Sequence, residues 1–186
     1  MARNKILIST FVSLLLFCST IFAHEKKWPE RRLRQAWPEA QSFTSKQISL
    51  TSAQIFELNA DGIKTDSNER SPNFYLAQAK DAKTKKLTNL GAILFIDEPG
   101  DNGVMEISVA MGNNGQIKKI DIWESSENPL ISKDDFLKQF VGKSASDTIL
   151  IEKDFKPVQG APKASEAVAM AARKALKISR KLFEKN

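Results

Sequence analysis

The feature that most constrains the fold is a Gly-Asn-Asn-Gly turn, residues 112–115, between two segments of alternating apolar residues. Glycine and asparagine tolerate the positive φ angles that tight hairpin turns require. Segment 104–111 before the turn and segment 116–123 after it carry apolar residues at alternate positions, which is the period of a half-buried strand. The two segments therefore predict an antiparallel β-hairpin.

Two further strands and four helices surround this hairpin in the sequence pattern. Segments 73–79 and 87–96 read as strands on either side of a basic turn, residues 81–86. Helical patterns cover 28–37, a segment after the Thr51/Gln54 capping-box pair, a segment that Ser132 is expected to cap and Gly142 to close, and about 163–184. The sequence thus predicts an α+β fold, in which an antiparallel β-meander packs against helices and the last helix is long.

The first 23 residues have the pattern of a secretory signal peptide. Arg3 and Lys5 precede an apolar run over 6–17, and small residues lead to a cleavage position after Ala23. The run is shorter than the roughly 20 residues of a transmembrane helix, although a retained N-terminal anchor is the alternative. We expect an exported protein, periplasmic or peripheral to the inner membrane, with a helical extension over 24–62 and a binding domain over 63–186.

Composition excludes several kinds of site. One histidine and one cysteine are too few for most zinc sites, iron–sulfur clusters and thiol redox pairs, so no metal site is predicted. With a single histidine at position 24, no Ser-His-Asp arrangement is apparent and no catalytic residue is predicted.

The segment that most resembles a known family has the sequence PVQGAPKASEAV, residues 157–168, and leads into the alanine-rich last helix. Together with segments 37–40, 48–54, 104–123 and 136–143, it resembles the FMN-binding domain of exported flavoproteins. That family includes the flavin-carrying subunits of Rnf complexes and of sodium-translocating quinone reductases. Its members carry Ser/Thr-Gly-Ala-Thr-x-Thr/Ser just before a helix, and those with covalent FMN esterify its phosphate to the last hydroxyl. The likeness covers about residues 33–178.

The resemblance implies a phosphate site at the start of the last helix. Gly160 and Ala161 match the motif, since a glycine lets the backbone approach a phosphate and a helix N-terminus favours an anion. Lys163 would add positive charge, and Ser165 keeps a hydroxyl that can donate to the phosphate. The alternative is an ordinary loop-to-helix start, with Pro162 in the first turn for its fixed φ.

Two further residues enter through the same resemblance. Ala164 stands where covalent members carry the esterified hydroxyl, and an alanine cannot form a phosphoester. The implied cofactor is therefore FMN held non-covalently. Glu127 lies in a Glu-Asn-Pro turn that is near the flavin in the family, which makes it a candidate cofactor-binding residue.

The function implied is that of an electron-transfer flavoprotein with a membrane-bound or periplasmic redox partner, not of an enzyme with its own catalytic residues. The alternative is a member without flavin that serves as a periplasmic binding or accessory module. Residues 163–186 hold seven basic and two acidic residues, so this helix either meets anionic lipid or an acidic protein, or presents a solvated face. Aromatic residues do not interleave these charges, and no nucleic-acid partner is expected. Trp37, Tyr75 and Trp123 either stack on the flavin ring or pack in the core.

Overall fold

The computed structural model describes residues 28–67 and 69–183, which form one antiparallel sheet with helices on both faces. Its five strands follow each other in chain order: β1 (Ser42–Gln47), β2 (Asn73–Lys80), β3 (Leu87–Pro99), β4 (Val104–Gly112) and β5 (Ile117–Glu124). The helices are α1 (Glu30–Ala36), α2 (Ser52–Ala60), α3 (Asp134–Leu137) and α4 (Pro162–Phe183). The predicted α+β class, with a meander and a long C-terminal helix, is confirmed.

Strand β1 is the element that the sequence does not predict. Its residues are almost all polar, and it lies at the sheet edge, where it pairs only with β2. An edge strand whose side chains are mostly exposed needs no apolar alternation, so it leaves no periodic signal. It lies within the segment 24–62 that was expected to be a helical extension.

Two helices test the sequence signals for helix starts. Helix α2 begins with the predicted capping box: the Thr51 hydroxyl accepts from the Gln54 N–H at 3.3 Å, and the Gln54 side chain accepts from the Thr51 N–H at 2.9 Å. Helix α3 is a single turn continued by a 3₁₀ turn (Lys138–Phe140). Lys133 precedes it and no side chain caps it, so the expected cap by Ser132 is wrong; Ser132 ends another 3₁₀ turn (Pro129–Ser132).

The sheet separates two apolar cores. On one face, α4 packs across β3 and β4 and covers the larger core, which includes Phe74, Leu94, Ile107 and Val168. On the other face, α1 covers a smaller core around Trp37, Tyr75 and Ile93. Gly91 makes that second contact possible, because a Cβ there would lie 2.4 Å from the Trp37 ring and 2.1 Å from the Met111 carbonyl oxygen.

No helix within the described ranges is both long and apolar enough to cross a bilayer. Residues 1–27 lie outside the described part of the chain, so the signal peptide stays a prediction.

Candidate functional site

The start of α4 is built on a glycine turn. Gly160 adopts φ +76°, a left-handed conformation that L side chains rarely adopt. The Ala161 N–H closes the turn by donating to the Val158 carbonyl at 3.1 Å. Pro162 is the first helical residue, where its missing N–H costs nothing because that donor has no intrahelical partner. The predicted Gly160–Ala161 motif therefore does place the backbone at a helix N-terminus.

Ser165 and Ala164 point into the protein at this helix start. The fully buried Ser165 hydroxyl donates to the Ala161 carbonyl at 2.8 Å and accepts from the Val158 N–H at 2.9 Å. It joins the loop to the first turn of α4. The Ala164 methyl group is also fully buried, whereas Lys163 is exposed. Of the two side chains predicted to contact a phosphate, that of Lys163 faces solvent, and the Ser165 hydroxyl is used in hydrogen bonds to the backbone.

Glu127 fixes the turn between β3 and β4. Its Oε1 accepts from the Asn102 N–H at 2.6 Å, and its Oε2 accepts from the Asn102 side-chain amide at 3.2 Å. The next residue, Asn128, donates from Nδ2 to the Gln159 carbonyl at 3.3 Å, immediately before Gly160. The segment that contains Glu127 thus contacts both the β3–β4 turn and the loop that leads into α4.

Asp101, in the β3–β4 turn, supplies the contact that sequence reasoning missed. Its Oδ2 accepts from the Ala164 N–H at 2.8 Å, across 63 residues of chain. A carboxylate at this place is stabilised by the free N–H groups and by the positive end of the helix dipole. The only local signal is an acidic residue in a turn of small polar residues, and nothing in the sequence links that turn to α4.

The start of α4 offers backbone N–H donors to an anion but no accessible hydroxyl for a phosphoester. Since Pro162 has no N–H, the foremost donors of α4 are those of Lys163 and Ala164. Ala164 already holds an anionic oxygen, that of Asp101. Asp101 is exposed, so its carboxylate can turn into water and make room for another anion. No hydroxyl is present at 164, and the hydroxyl at 165 is buried.

The three aromatic residues considered for ring stacking lie on the opposite face of the sheet from α4. Trp37 and Tyr75 belong to the core under α1. Trp123 donates from its indole N–H to the Ser108 hydroxyl at 2.8 Å, and the Arg32 guanidinium lies 5.3 Å from its ring centroid. In this arrangement they pack the sheet and do not line the start of α4.

Several cations of α4 are directed at the protein itself. The Lys174 ammonium lies 2.6 Å from Glu69 and 2.7 Å from Glu98, and all three side chains are nearly buried. Burial opposes the charge on Lys174, but its hydrogen bond to Glu69 and its close ion pair with Glu98 outweigh burial and raise its pKa. Lys177 pairs with Asp61 at 2.9 Å, and Arg173 donates to the Asp61 carbonyl at 2.8 Å. These contacts reduce the free charge that α4 offers to a lipid surface or an acidic partner.

The burial of this cluster is electrostatically unfavourable for the charged form of Glu98. Burial raises its pKa above the ordinary value, and the Lys174 ammonium only partly opposes that effect. The negative charges of Glu69 and Asp66 raise it further. The cluster therefore ties α4 to β3 and to the loop before β2 at some electrostatic expense.

Comparison with known proteins gives a fold and no family. No protein-family model matches the sequence, and no curated protein matches it. Among solved structures, the crystal structure of Shewanella oneidensis NqrC aligns with a TM-score of 0.51 and 14% sequence identity, over 82% of this chain and 85% of that chain. At that identity the likeness concerns the backbone alone. The chain therefore has a fold similar to that of NqrC.

Proposed function

We propose that this chain is an exported flavoprotein that holds FMN non-covalently at the start of α4 and exchanges electrons with a membrane-bound or periplasmic redox partner. NqrC, a solved structure of similar fold, is the flavin subunit of a Na⁺-translocating quinone reductase, which supports a flavoprotein-like role. The observation that carries the proposal is the hydrogen bond from the Ala164 N–H to the Asp101 carboxylate, since it marks an anion-accepting position at the helix start, where this chain carries a degenerate form of the family's motif.

The residues around that position have separate tasks in the proposal. The N–H groups of Lys163 and Ala164, with the dipole of the 22-residue helix α4, would bind the phosphate. Gly160 has no side chain to obstruct the approach of the phosphate. The space beside it is open, because the nearest atom to a Cβ built there would be Asn128 Nδ2, at 4.0 Å. The exposed Lys163 ammonium would add charge. FMN itself, when bound, supplies the electron-transfer chemistry.

The same contact favours a second candidate function. If the Asp101 carboxylate remains on the Ala164 N–H, the helix start is satisfied internally and no phosphate enters. The chain would then be a member without flavin that serves as a binding or accessory module in the periplasm. The two candidates differ in whether Asp101 can be displaced.

A visible absorption spectrum separates the two candidates. The protein would be purified from the periplasm of a producing bacterium supplied with flavin, and its N-terminus would be sequenced, with His24 expected as the first residue. Yellow colour that acid precipitation releases into the supernatant supports non-covalent FMN. Colour that stays in the pellet would contradict the structural role of Ser165. If the protein is colourless and takes up no added FMN, and the Asp101→Asn variant takes up none either, the result would favour the accessory module over the flavoprotein.

A further inference from the structure

A cavity lies about halfway along α4, well away from the helix start. It has a volume of about 250 Å³, is open to solvent, and lies between α4, the end of α2 and the loop 144–150. Arg173, on its wall, follows Ala164 by nine residues, which is roughly 14 Å along the axis at about 1.5 Å per residue. The cavity is therefore separate from the proposed phosphate site.

The floor of this cavity is apolar. Ile63, Ile149 and Leu176 line it, and each is at most 2% exposed to solvent. At about 30 Å³ per water molecule, the volume corresponds to roughly eight waters. Because these three side chains are already out of contact with solvent, a ligand would gain free energy by covering the accessible apolar surface above them, that of Leu150, which is 38% exposed, and of half-buried Ala145. The size suits a molecule of about ten non-hydrogen atoms.

The wall of the cavity carries charges of both signs. Among the described residues, Arg173 donates one hydrogen bond, to the Asp61 carbonyl, and forms no ion pair with a carboxylate. Lys177 pairs with Asp61 through Oδ2. Asp147 accepts from the Ser144 N–H and hydroxyl through Oδ2 alone, which leaves its Oδ1 available. The Ser144 hydrogen bonds, and to a lesser degree the nearby Lys143 ammonium, lower the pKa of Asp147, so this carboxylate is charged at neutral pH.

An apolar floor with an available cation and an available carboxylate matches one class of small molecule. We infer that this cavity binds a free aliphatic amino acid, with its carboxylate on Arg173, its ammonium on Asp147 and its side chain on Leu150 and Ala145. The exposed hydroxyl of Thr148, which makes no hydrogen bond within the described residues, is a further donor for the carboxylate. A simple anion would leave Asp147 facing like charge, and a simple cation would face Arg173.

Three probes test the charge pattern, because they differ by one group each. L-Leucine would be titrated into the ¹⁵N-labelled protein, alongside 4-methylpentanoate, which lacks the amino group, and 3-methylbutylamine, which lacks the carboxylate. We expect L-leucine to bind with a Kd of about 1 mM or tighter, and each analogue at least about tenfold more weakly. Amide shifts should cluster at Ile63, Thr148 and Leu176 and leave Ala164 unmoved.

Matched variants connect the binding to named groups. Arg173→Gln should weaken L-leucine about tenfold and abolish its advantage over 3-methylbutylamine, and Asp147→Asn should abolish its advantage over 4-methylpentanoate. Arg34→Gln removes an equal charge from α1, on the other face of the sheet, and should change nothing. If Arg173→Gln fails to fold, Thr148→Phe blocks the exposed mouth and should still remove binding. Equal binding of the three probes, or unchanged binding in these variants, would overturn the inference.

Discussion

The backbone N–H of Ala164 donates a 2.8 Å hydrogen bond to Oδ2 of Asp101, so a carboxylate from the β3–β4 turn lies at the N-terminus of α4. In the resembling family, that helix start receives the FMN phosphate. The protein therefore has an anion of its own where the cofactor's anion is expected. Glu127 holds the neighbouring Asn102 in the same turn, so we expect it to stabilise the position of the Asp101 carboxylate.

Asp101→Asn is expected to strengthen FMN binding about fivefold to tenfold. The amide keeps an oxygen that can cap the helix, but it removes a negative charge that competes with the phosphate; charge effects at helix ends are worth about 1 kcal/mol. Quenching of FMN fluorescence during titration measures the change in Kd.

Asp97→Asn is the matched control. Asp97 is exposed on β3 and, by strand alternation, projects to the α1 face, whereas its neighbours Ile96 and Glu98 project towards α4. The same loss of charge there should leave the FMN affinity unchanged. If Asp101→Asn binds FMN no better than the parent protein, the competition between carboxylate and phosphate is refuted.

Ser165→Ala is expected to lower the free energy of unfolding by about 1–3 kcal/mol. The substitution leaves the Val158 N–H, a buried donor, without its partner, and an unsatisfied buried group costs about that much. Urea unfolding measures the loss. Ser49→Ala, which removes an exposed hydroxyl bonded only to Ser71, should stay within about 0.5 kcal/mol of the parent. Equal, small effects at the two positions would show that Ser165 has no structural role.

The sequence predicts most of the fold because the signals are local. The turn at 112–115, the Thr51/Gln54 capping box and the stripe of α4 each lie within one element, and each appears in the structure. Strand β1 was not predicted, since an exposed edge strand buries too little to show a period. The short α3 was predicted to be longer, because Phe136 and Phe140 are spaced as in a helix. In the structure, Phe136 packs edge-to-face on Phe140, and Phe140 ends a 3₁₀ turn and stacks on Phe155.

The candidate site was predictable only in part. The motif identified the start of α4 and the Glu127 turn, and these do meet, through Asn128 and Gln159. Asp101 was not predictable, because its partner lies 63 residues away and depends on how the β3–β4 turn folds back on α4. The direction of the Ser165 and Ala164 side chains was equally hidden, since a motif gives spacing and does not tell which side of the helix faces the core.

Glu98→Gln is expected to change the pH dependence of stability. Burial raises the pKa of Glu98 in the folded state, so the folded protein binds more protons than the unfolded chain above about pH 4.5. The contribution of Glu98 to the unfolding free energy is therefore full below its unfolded pKa and falls as pH rises through the folded value. In urea unfolding at pH 4 to 7, the parent's stability relative to Glu98→Gln should decline as pH rises.

Asp81→Asn provides a control of opposite sign. Hydrogen bonds from the backbone and hydroxyl of Thr84 lower the pKa of Asp81, so its contribution is present above the unfolded pKa and is lost as pH falls through the folded value. Relative to Asp81→Asn, the parent should lose stability on acidification. A Glu98 difference that rises with pH, as the Asp81 difference does, would contradict the assignment of burial as the dominant cause.

Glu127→Ala is expected to loosen the β3–β4 turn and to act on FMN through Asp101. The alanine removes both acceptors of Asn102, at 2.6 and 3.2 Å, so the turn no longer holds the Asp101 carboxylate against Ala164. Stability should fall by about 1–2 kcal/mol, while FMN affinity should rise towards that of Asp101→Asn. Glu127→Gln keeps an acceptor for the Asn102 N–H and should have less than half of either effect.

The double variant Asp101→Asn/Glu127→Ala tests whether Glu127 acts on FMN through Asp101. If it does, adding Glu127→Ala to Asp101→Asn leaves the FMN Kd unchanged. Additive gains in affinity would mean that Glu127 opposes FMN directly, by its own charge.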